Sequence, residues 1–517
     1  MPHVRNRASS ARPRRLLEWP AMTWVFALLG MLWLSGPAAA PSERTHLVVL
    51  HTNDLHGQVQ PLDGVGGLPE VAACIEGLRA REGPSLLLLD GGDWFQGTVE
   101  GRAEEGAGFV SALRAVPYDA LVVGNHEFDL GLDALRRVVA LLGDRAVCAN
   151  VFESDGRRPP WARPYRIVER EGLRIAVVGF VSRYTPEIVP RDARSPEFRD
   201  PVEVFGALRE ELRKAADLVL VLTHQGVGED RRLAEAFPEL PLIVGGHSHS
   251  FLQKGLRKGA TLIVQAGSRA RSVGRVDLWL ESDEEGKMRV VESESQLISL
   301  RDASLVGEVR NEVVDTLCEE LSRRAEAEMG TVVGRLAGPL ERSRGLVSSS
   351  AGNWVSDLLR EYGKADVGLH NKGGLRADVP VGDVSRRMLF EMLPFQNTVV
   401  VLELPGAVLR GAVRSAVEVR RHAGLEFSGM EVALRRAPGG GFQLEEVRIG
   451  GEPIEPERVY RVATNSFLAD GGDGYFEPAQ FESARDTETL LWELAEWGLR
   501  GDEPVLPDAT ERYRSVD

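Results

Sequence analysis

"LIVGGHSHS", residues 242–250, sets two histidines one residue apart behind a short apolar run and a pair of glycines. The run is short, rich in β-branched residues and closed by glycine, which reads as a strand buried on both faces; His247 and His249 then emerge from the turn at its end. Alone, such a pair is more often a turn than a site. The chain has only 10 His in 517 residues, however, and the same design recurs upstream. "HLVVLHTNDLHG", "SLLLLDGGDWFQG", "ALVVGNHEFD" and "DLVLVLTHQG" are apolar runs that end in Asp54 and His56, Asp93, Asn125 and His126, and His224. Five of the ten His therefore stand at strand exits.

Between several of these runs lie helical patterns such as "LDALRRVVALLG" and "VEVFGALREELRKAAD". Alternating buried strands and amphipathic helices predict an α/β layered domain over residues 45–300. In such sheets the strand ends converge on one crevice, so ligands far apart in sequence can meet there. Residues 301–330 are charged, Pro-free and helix-favouring, and predict a helical connector. Beyond them, "GNWVSDLLREYG", "DVGLHNKGGLRADVP", "TVVVLELPG" and "RVYRVATNSF" predict a second, α+β domain over residues 331–517.

The bulk numbers exclude several classes. A hydrophobic content of 43% with 27% charged residues is that of a globular protein. A basic flank, the apolar residues 22–34 and the small residues 38–40 read as an export signal over residues 1–40. About 13 apolar residues fall short of the roughly 20 needed to span a bilayer. Removing residues 1–40, with five Arg and one Glu, takes the formal charge from −15 to −19. Such a surface repels nucleic-acid polymers and anionic membranes, so neither is expected as a partner, and an anionic substrate needs local cations. The three cysteines, Cys74, Cys148 and Cys318, are too few and too scattered for a disulfide framework or a thiolate metal site.

Imidazole and carboxylate together suit Zn, Mn or Fe, whereas Mg and Ca prefer shells of oxygen alone. Seven ligands with one carboxylate shared can hold two divalent metal ions and leave room for a hydroxide between them. Such a pair stabilises both the entering and the leaving oxygen in displacement at phosphorus.

With these motifs in this order, the chain resembles the calcineurin-like metallophosphoesterases, and more closely the two-domain 5′-nucleotidase/UDP-sugar hydrolase family of exported enzymes, from about His46 to Tyr475. The resemblance implies a β-sandwich flanked by helices, followed by an α+β substrate-binding domain, in a periplasmic or extracellular enzyme. It implies that Asp54, His56 and His249 bind one metal, that Asn125, His224 and His247 bind the other, and that Asp93 bridges them. His126 is then the catalytic group that stabilises the phosphoryl transition state and Asp129 fixes its orientation, although Asp129 also suits a helix N-cap ahead of "LGLDALRR". In "NKGGLR", Asn371 and Arg376 are implied as base and phosphate contacts. In "NSFLADGGDGY", Phe467 is one wall of an aromatic base clamp and Asp473 a ribose-binding carboxylate. "LPFQNTVV" also fits the family, or is a strand entry.

Two positions depart from the pattern. The clamp's second aromatic falls on Gly424, with Phe427 adjacent to the serine, and an expected arginine falls on Val347, with Arg342 and Arg344 out of register. Loss of one stacking face removes roughly 1–3 kcal/mol. The activity implied is hydrolysis of nucleotide phosphoesters to nucleoside and phosphate by metal-hydroxide attack, with UDP-sugars or 2′,3′-cyclic nucleotides as alternative substrates. A noncatalytic nucleotide-binding surface protein is the alternative outside the enzymes.

Overall fold

Leu47, Val48, Val49 and Leu50 are all buried, which requires a packed layer on each side of their strand. The computed structural model describes residues 44–62, 64–283, 287–301, 309–419, 424–501 and 503–516. The expected leader lies outside these residues, as do residues 302–308 of the expected connector.

Two six-stranded sheets form the first domain. In one, Thr45–Thr52 runs parallel to Leu86–Asp90, then Ala120–Val122 and Ala146–Val147, and antiparallel to Ser272–Ser282 on its other side. In the other, Leu173–Val181, Leu218–His224, Leu242–Val244 and Thr261–Val264 are parallel neighbours. Alternate residues serve two layers. Leu47, Val49, Leu87 and Leu89 meet Ile175, Val177, Leu220, Leu222 and Val244 between the sheets. Val48, Leu50, Leu86 and Leu88 face outward onto Val71 and Ile75, Phe109 and Val110, and Leu135 and Val138, from the helices Leu68–Glu82, Ala107–Ala115 and Gly131–Leu142. The second sheet turns Ala176, Val178, Val221 and Ile243 onto Phe205, Leu208 and Leu233 of the helices Pro201–Ala215 and Val227–Ala236. The result is the β-sandwich flanked by helices that the sequence implies, with its parallel strands all opening on one edge.

Asn311 caps the helix Glu312–Met329 by accepting from the Val314 amide. Val314, Cys318 and Leu321 sink into the helix-side core of the first sheet, while Ala325 meets Val99 and Phe390. Next comes a five-stranded mixed sheet, ordered Leu425–Ser428, Val367–Asn371, Val459–Asn465, Thr398–Pro405 and Ser483–Leu490. The helices Ser350–Gly363 and Gly406–Glu418 belong to two separate cores of this domain, and a four-stranded sheet carries Met430–Arg436 and Phe442–Ile449. The three cysteines are buried and free. Among the described residues, no helix is long and apolar enough to cross a membrane.

Candidate metal and phosphate site

The turns that leave the parallel strands are bonded to one another. Asp54 N donates to the Gly92 carbonyl at 2.8 Å and His56 N to the Asp93 carbonyl at 3.0 Å. The His247 amide donates to both Asp54 oxygens at 3.2 and 3.1 Å. This close approach needs glycine: a Cβ on Gly124 would stand 2.2 Å from Asp93 Oδ1, and one on Gly246 would stand 2.4 Å from the Gly91 carbonyl. Asp54, His56, Asp93, His247 and His249 all adopt left-handed backbone, with φ of 52, 52, 59, 75 and 52°. For residues with a Cβ that geometry is costly, and it concentrates at functional sites.

All seven sequence-predicted ligands meet at this edge. Asp54 Oδ1 stands 3.2 Å from His249 Nε2 and 3.8 Å from His56 Nε2. His224 Nε2 is 2.9 Å from Asp93 Oδ2 and 3.9 Å from Asp54 Oδ1. Asn125 Oδ1 lies 2.8 Å from His247 Nδ1. A backbone carbonyl fixes each of two rings: Gln96 O is 2.8 Å from His56 Nδ1 and Gly91 O is 2.6 Å from His224 Nδ1. With Nδ1 so engaged, Nε2 of each ring is the donor that faces the cluster. His56 Nε2 and His249 Nε2 face each other at 2.9 Å beside the Asp54 carboxylate. Nitrogen and carboxylate donors this close suit a divalent cation of the Zn or Mn type.

Burial opposes charge on these groups, and their neighbours decide the outcome. It drives His56 well below its ordinary value, helped by His249, and His247 down to about 4, helped by His224. For His224 burial is outweighed by the Asp93 and Asp54 carboxylates, which raise it to about 10. Asp93 moves the other way, because His224 and His126 outweigh its burial and hold it well below the carboxylate range. Beneath them, burial and Asp93 push Glu127 up to about 8, although it accepts amides from Gly124, Asp93 and Trp94 at 2.7, 3.1 and 2.7 Å.

His126 follows Asn125 and points its Nδ1 at Asp129 Oδ2, 2.6 Å away. Asp129 does not cap the helix Gly131–Leu142, which begins after Leu130 with no side-chain cap. Burial lowers the His126 pKa, but Asp129 and Asp93 outweigh it and raise it.

From these residues a cleft of about 740 Å³ runs to the second domain, where Asn371, Arg376, Phe467 and Asp473 line it. Arg376 Nη2 stands 3.5 Å from His126 Nε2. Asn371 Nδ2 donates to Asp473 Oδ2 at 3.0 Å, and Asn465 Nδ2 donates to Asn371 Oδ1 at 3.1 Å.

Residues 47–251 match the calcineurin-like phosphoesterase family model, and residues 332–480 match that of the 5′-nucleotidase C-terminal domain. The chain belongs to the 5′-nucleotidase family of metallophosphoesterases. It is accordingly a metal-dependent phosphoric ester hydrolase. Protein UshA of Escherichia coli K12 is 28% identical over 506 residues, covering 87% of this chain and 90% of that protein. The 5′-nucleotidase of Vibrio cholerae O1 is 28% identical over 501 residues, covering 86% and 89%. The crystal structure of the 5′-nucleotidase precursor from Thermus thermophilus has a TM-score of 0.80 at 27% identity, covering 92% of this chain and 100% of that one.

In this chain the cleft wall holds residues that sequence reasoning missed. Arg344, noted only as out of register, lines the cleft, whereas Arg342 is held by Asp378 at 2.8 Å and Val347 is exposed. Phe395, from "LPFQNTVV", lines it too, and so do Gln96, Arg102 and Arg194 of the first domain. Gly424 leaves its clamp position without an aromatic ring. The nearest atom to a Cβ there is Cδ of Lys372, at 3.5 Å. Phe427 is buried against Tyr513, with ring centroids 4.8 Å apart, and faces the core.

Proposed function

We propose that this enzyme cleaves nucleotide phosphoesters of the 5′-nucleotidase type with two divalent cations, Zn, Mn or similar, held by the seven ligands. Asp54, His56 and His249 would hold one, Asn125, His224 and His247 the other, and the Asp93 carboxylate would serve both. The observation that carries the reading is the meeting of five strand exits beside the His126–Asp129 pair, on a cleft whose far wall holds Arg376 and Phe467. When bound, the cations supply an acidified water as nucleophile and neutralise phosphoryl charge.

The chain's own groups do the rest. His126, held by Asp129, presents Nε2 to the phosphoryl or leaving oxygen as negative charge develops there. Arg376 sets a permanent, planar charge beside it. Asn371 and Asp473, bonded to each other, offer polar contacts to base and ribose, and Phe467 offers one stacking face. The leader sequence supports export to the periplasm or the exterior.

The test is phosphate release from AMP, UDP-glucose, 2′,3′-cyclic AMP and an aryl phosphate, with Mn²⁺ or Zn²⁺ and with a chelator. AMP turnover that is lost on chelation and in His126→Ala is expected. Turnover indifferent to both refutes the mechanism, and binding of every ester without turnover favours a noncatalytic nucleotide binder. A preference for UDP-glucose or the cyclic nucleotide replaces the substrate and keeps the site.

A further inference from the structure

The His126 imidazole has a neighbour that the proposed chemistry does not use. One face is covered by Phe395, with ring centroids 5.8 Å apart and planes 24° from parallel. Phe395 belongs to the second domain, and the residue before it is gripped by the first. The Pro394 carbonyl accepts from Gln96 Nε2 at 3.1 Å and from Arg102 Nη1 at 2.9 Å. Neither donor is a chance surface contact. Gln96 is buried, and its own carbonyl fixes the His56 ring. Arg102 lies with its guanidinium 5.4 Å from the Phe390 ring, also of the second domain. Arg376 sits 5.8 Å from the Phe395 ring, so the stack is bounded by the cation that meets the phosphoryl group.

We propose that Phe395 is a positioning residue for His126: docking of the second domain lays its ring on the imidazole, and Gln96 and Arg102 hold it there through the Pro394 carbonyl. Asp129 fixes one edge of the His126 ring through Nδ1 and Arg376 stands 3.5 Å from Nε2 at the other, but two edge contacts leave the ring free to tilt about the line between them. A flat partner on the face removes this freedom and keeps water off it. The two donors come from the same loop-and-helix segment that follows Asp93, so only a correctly docked second domain completes the ring's seat. The inference rests on the reading of His126 as the group that meets developing phosphoryl charge.

Four variants test it: Phe395→Leu, which keeps an apolar side chain without a flat face, Phe395→Tyr, His126→Ala and the double variant. Each is assayed on AMP and on glycerol phosphate, which has no base. Loss of the stack is expected to lower kcat about ten- to a hundred-fold on both esters with KM little changed, and Phe395→Tyr is expected to restore it. In the double variant the leucine adds nothing to the loss caused by His126→Ala, as required of a residue that acts through the imidazole. With [13Cε1]histidine labelling, the ring-current shift of the His126 resonance disappears in Phe395→Leu and persists in Phe395→Tyr. A loss confined to KM or to AMP makes Phe395 a nucleoside contact and overturns the proposal. So does an undiminished loss in the His126→Ala background. Wild-type kcat in His126→Ala alone overturns the underlying reading of His126 and this inference with it, whereas a loss there with full activity in Phe395→Leu overturns this inference only.

Discussion

Lys372 and Glu426 make an ion pair whose side chains are each only 1% exposed. Lys372 Nζ also donates to Ser343 Oγ and the Val347 carbonyl, both at 2.8 Å, while Ser349 Oγ donates to Glu426 Oε1 at 2.6 Å. The pair therefore ties the strand Val367–Asn371 to the segment that carries Arg344 into the cleft. Glu426→Ala strands the ammonium in a space where, among the described residues, no other anion is bonded to it. Breaking one partner of a buried pair costs about 3–5 kcal/mol. For a cooperative unit of 150–250 residues, each kcal/mol is worth about 2–4 °C, which predicts a fall in Tm of roughly 6–20 °C. The pair is not itself a strong source of stability, because burial outweighs Lys372 and Ser349 and holds the Glu426 carboxyl above its usual range. Lys372→Met with Glu426→Leu is thus expected to recover most of the Tm, since apolar replacement of both partners is near neutral. Freed of its tether, the Arg344 segment raises KM for AMP in this double variant and leaves turnover of glycerol phosphate unchanged. Calorimetry of the three proteins with parallel kinetics decides it. A Tm loss in the double variant as large as in Glu426→Ala refutes the desolvation argument, and an unchanged KM refutes the tether.

Asp129→Asn keeps a side chain of the same shape but removes the charge facing His126 Nδ1 at 2.6 Å. A charge-assisted bond of about 1.5–3 kcal/mol predicts a kcat roughly 10–150-fold lower at unchanged metal content; steady-state kinetics with metal analysis checks both. Burial lifts Glu391 to about 6 from an ordinary 4.5, despite Arg387. The folded state then binds more protons at this group between those values, so the contribution of Glu391 to stability is greatest below the unfolded pKa and is lost as pH rises from 4.5 to about 6. Glu391→Gln is expected to flatten that part of the Tm-against-pH curve relative to wild type; parallel curves contradict it. A divalent cation at a hundred times its Kd stabilises the folded state by about 2.7 kcal/mol. Mn²⁺ or Zn²⁺ added to chelated protein is therefore expected to raise Tm, and Asp93→Asn to shrink the rise.

The first domain was legible because two independent signals coincide there. Buried strands are written as unbroken apolar runs, and within a few residues of each run's end stands a residue of a type that ligates metals. The structure brings together Asp54, His56, Asp93, Asn125, His224, His247 and His249 because parallel strands open on one edge, a property of topology that spacing alone does not contain. The second domain's share of the cleft was less readable. Phe467, Asp473 and Arg376 sit in distinctive glycine-rich stretches. Phe395, Gln96, Arg102 and Arg344 acquire their places only when the two domains dock, and nothing local marks a carbonyl such as that of Pro394 as an acceptor for two distant side chains. Lys372 and Glu426 were hidden for a related reason, since a charge in "NKGGLR" or "HAGLEFSG" reads as solvated until its partner is known. Asp129 shows the reverse, a local capping rule that gave way to the imidazole three residues earlier.

One local rule did survive at the site, and it explains why the signature is so concentrated. Ligand side chains that must point back into a crevice from the last residues of a strand need a sharp reversal, which the left-handed backbone of Asp54, His56, Asp93, His247 and His249 provides. Among residues with a Cβ, Asn, Asp and His are the ones enriched in that region. The chemical demand for imidazole and carboxylate and the conformational demand for residues that tolerate positive φ therefore select the same side chains. Substituting any of these five by a β-branched residue violates both demands at once. Substituting glycine relieves the backbone and removes the donor, so the two costs are separable: Asp54→Gly is expected to weaken metal binding with less loss of metal-free stability than Asp54→Val.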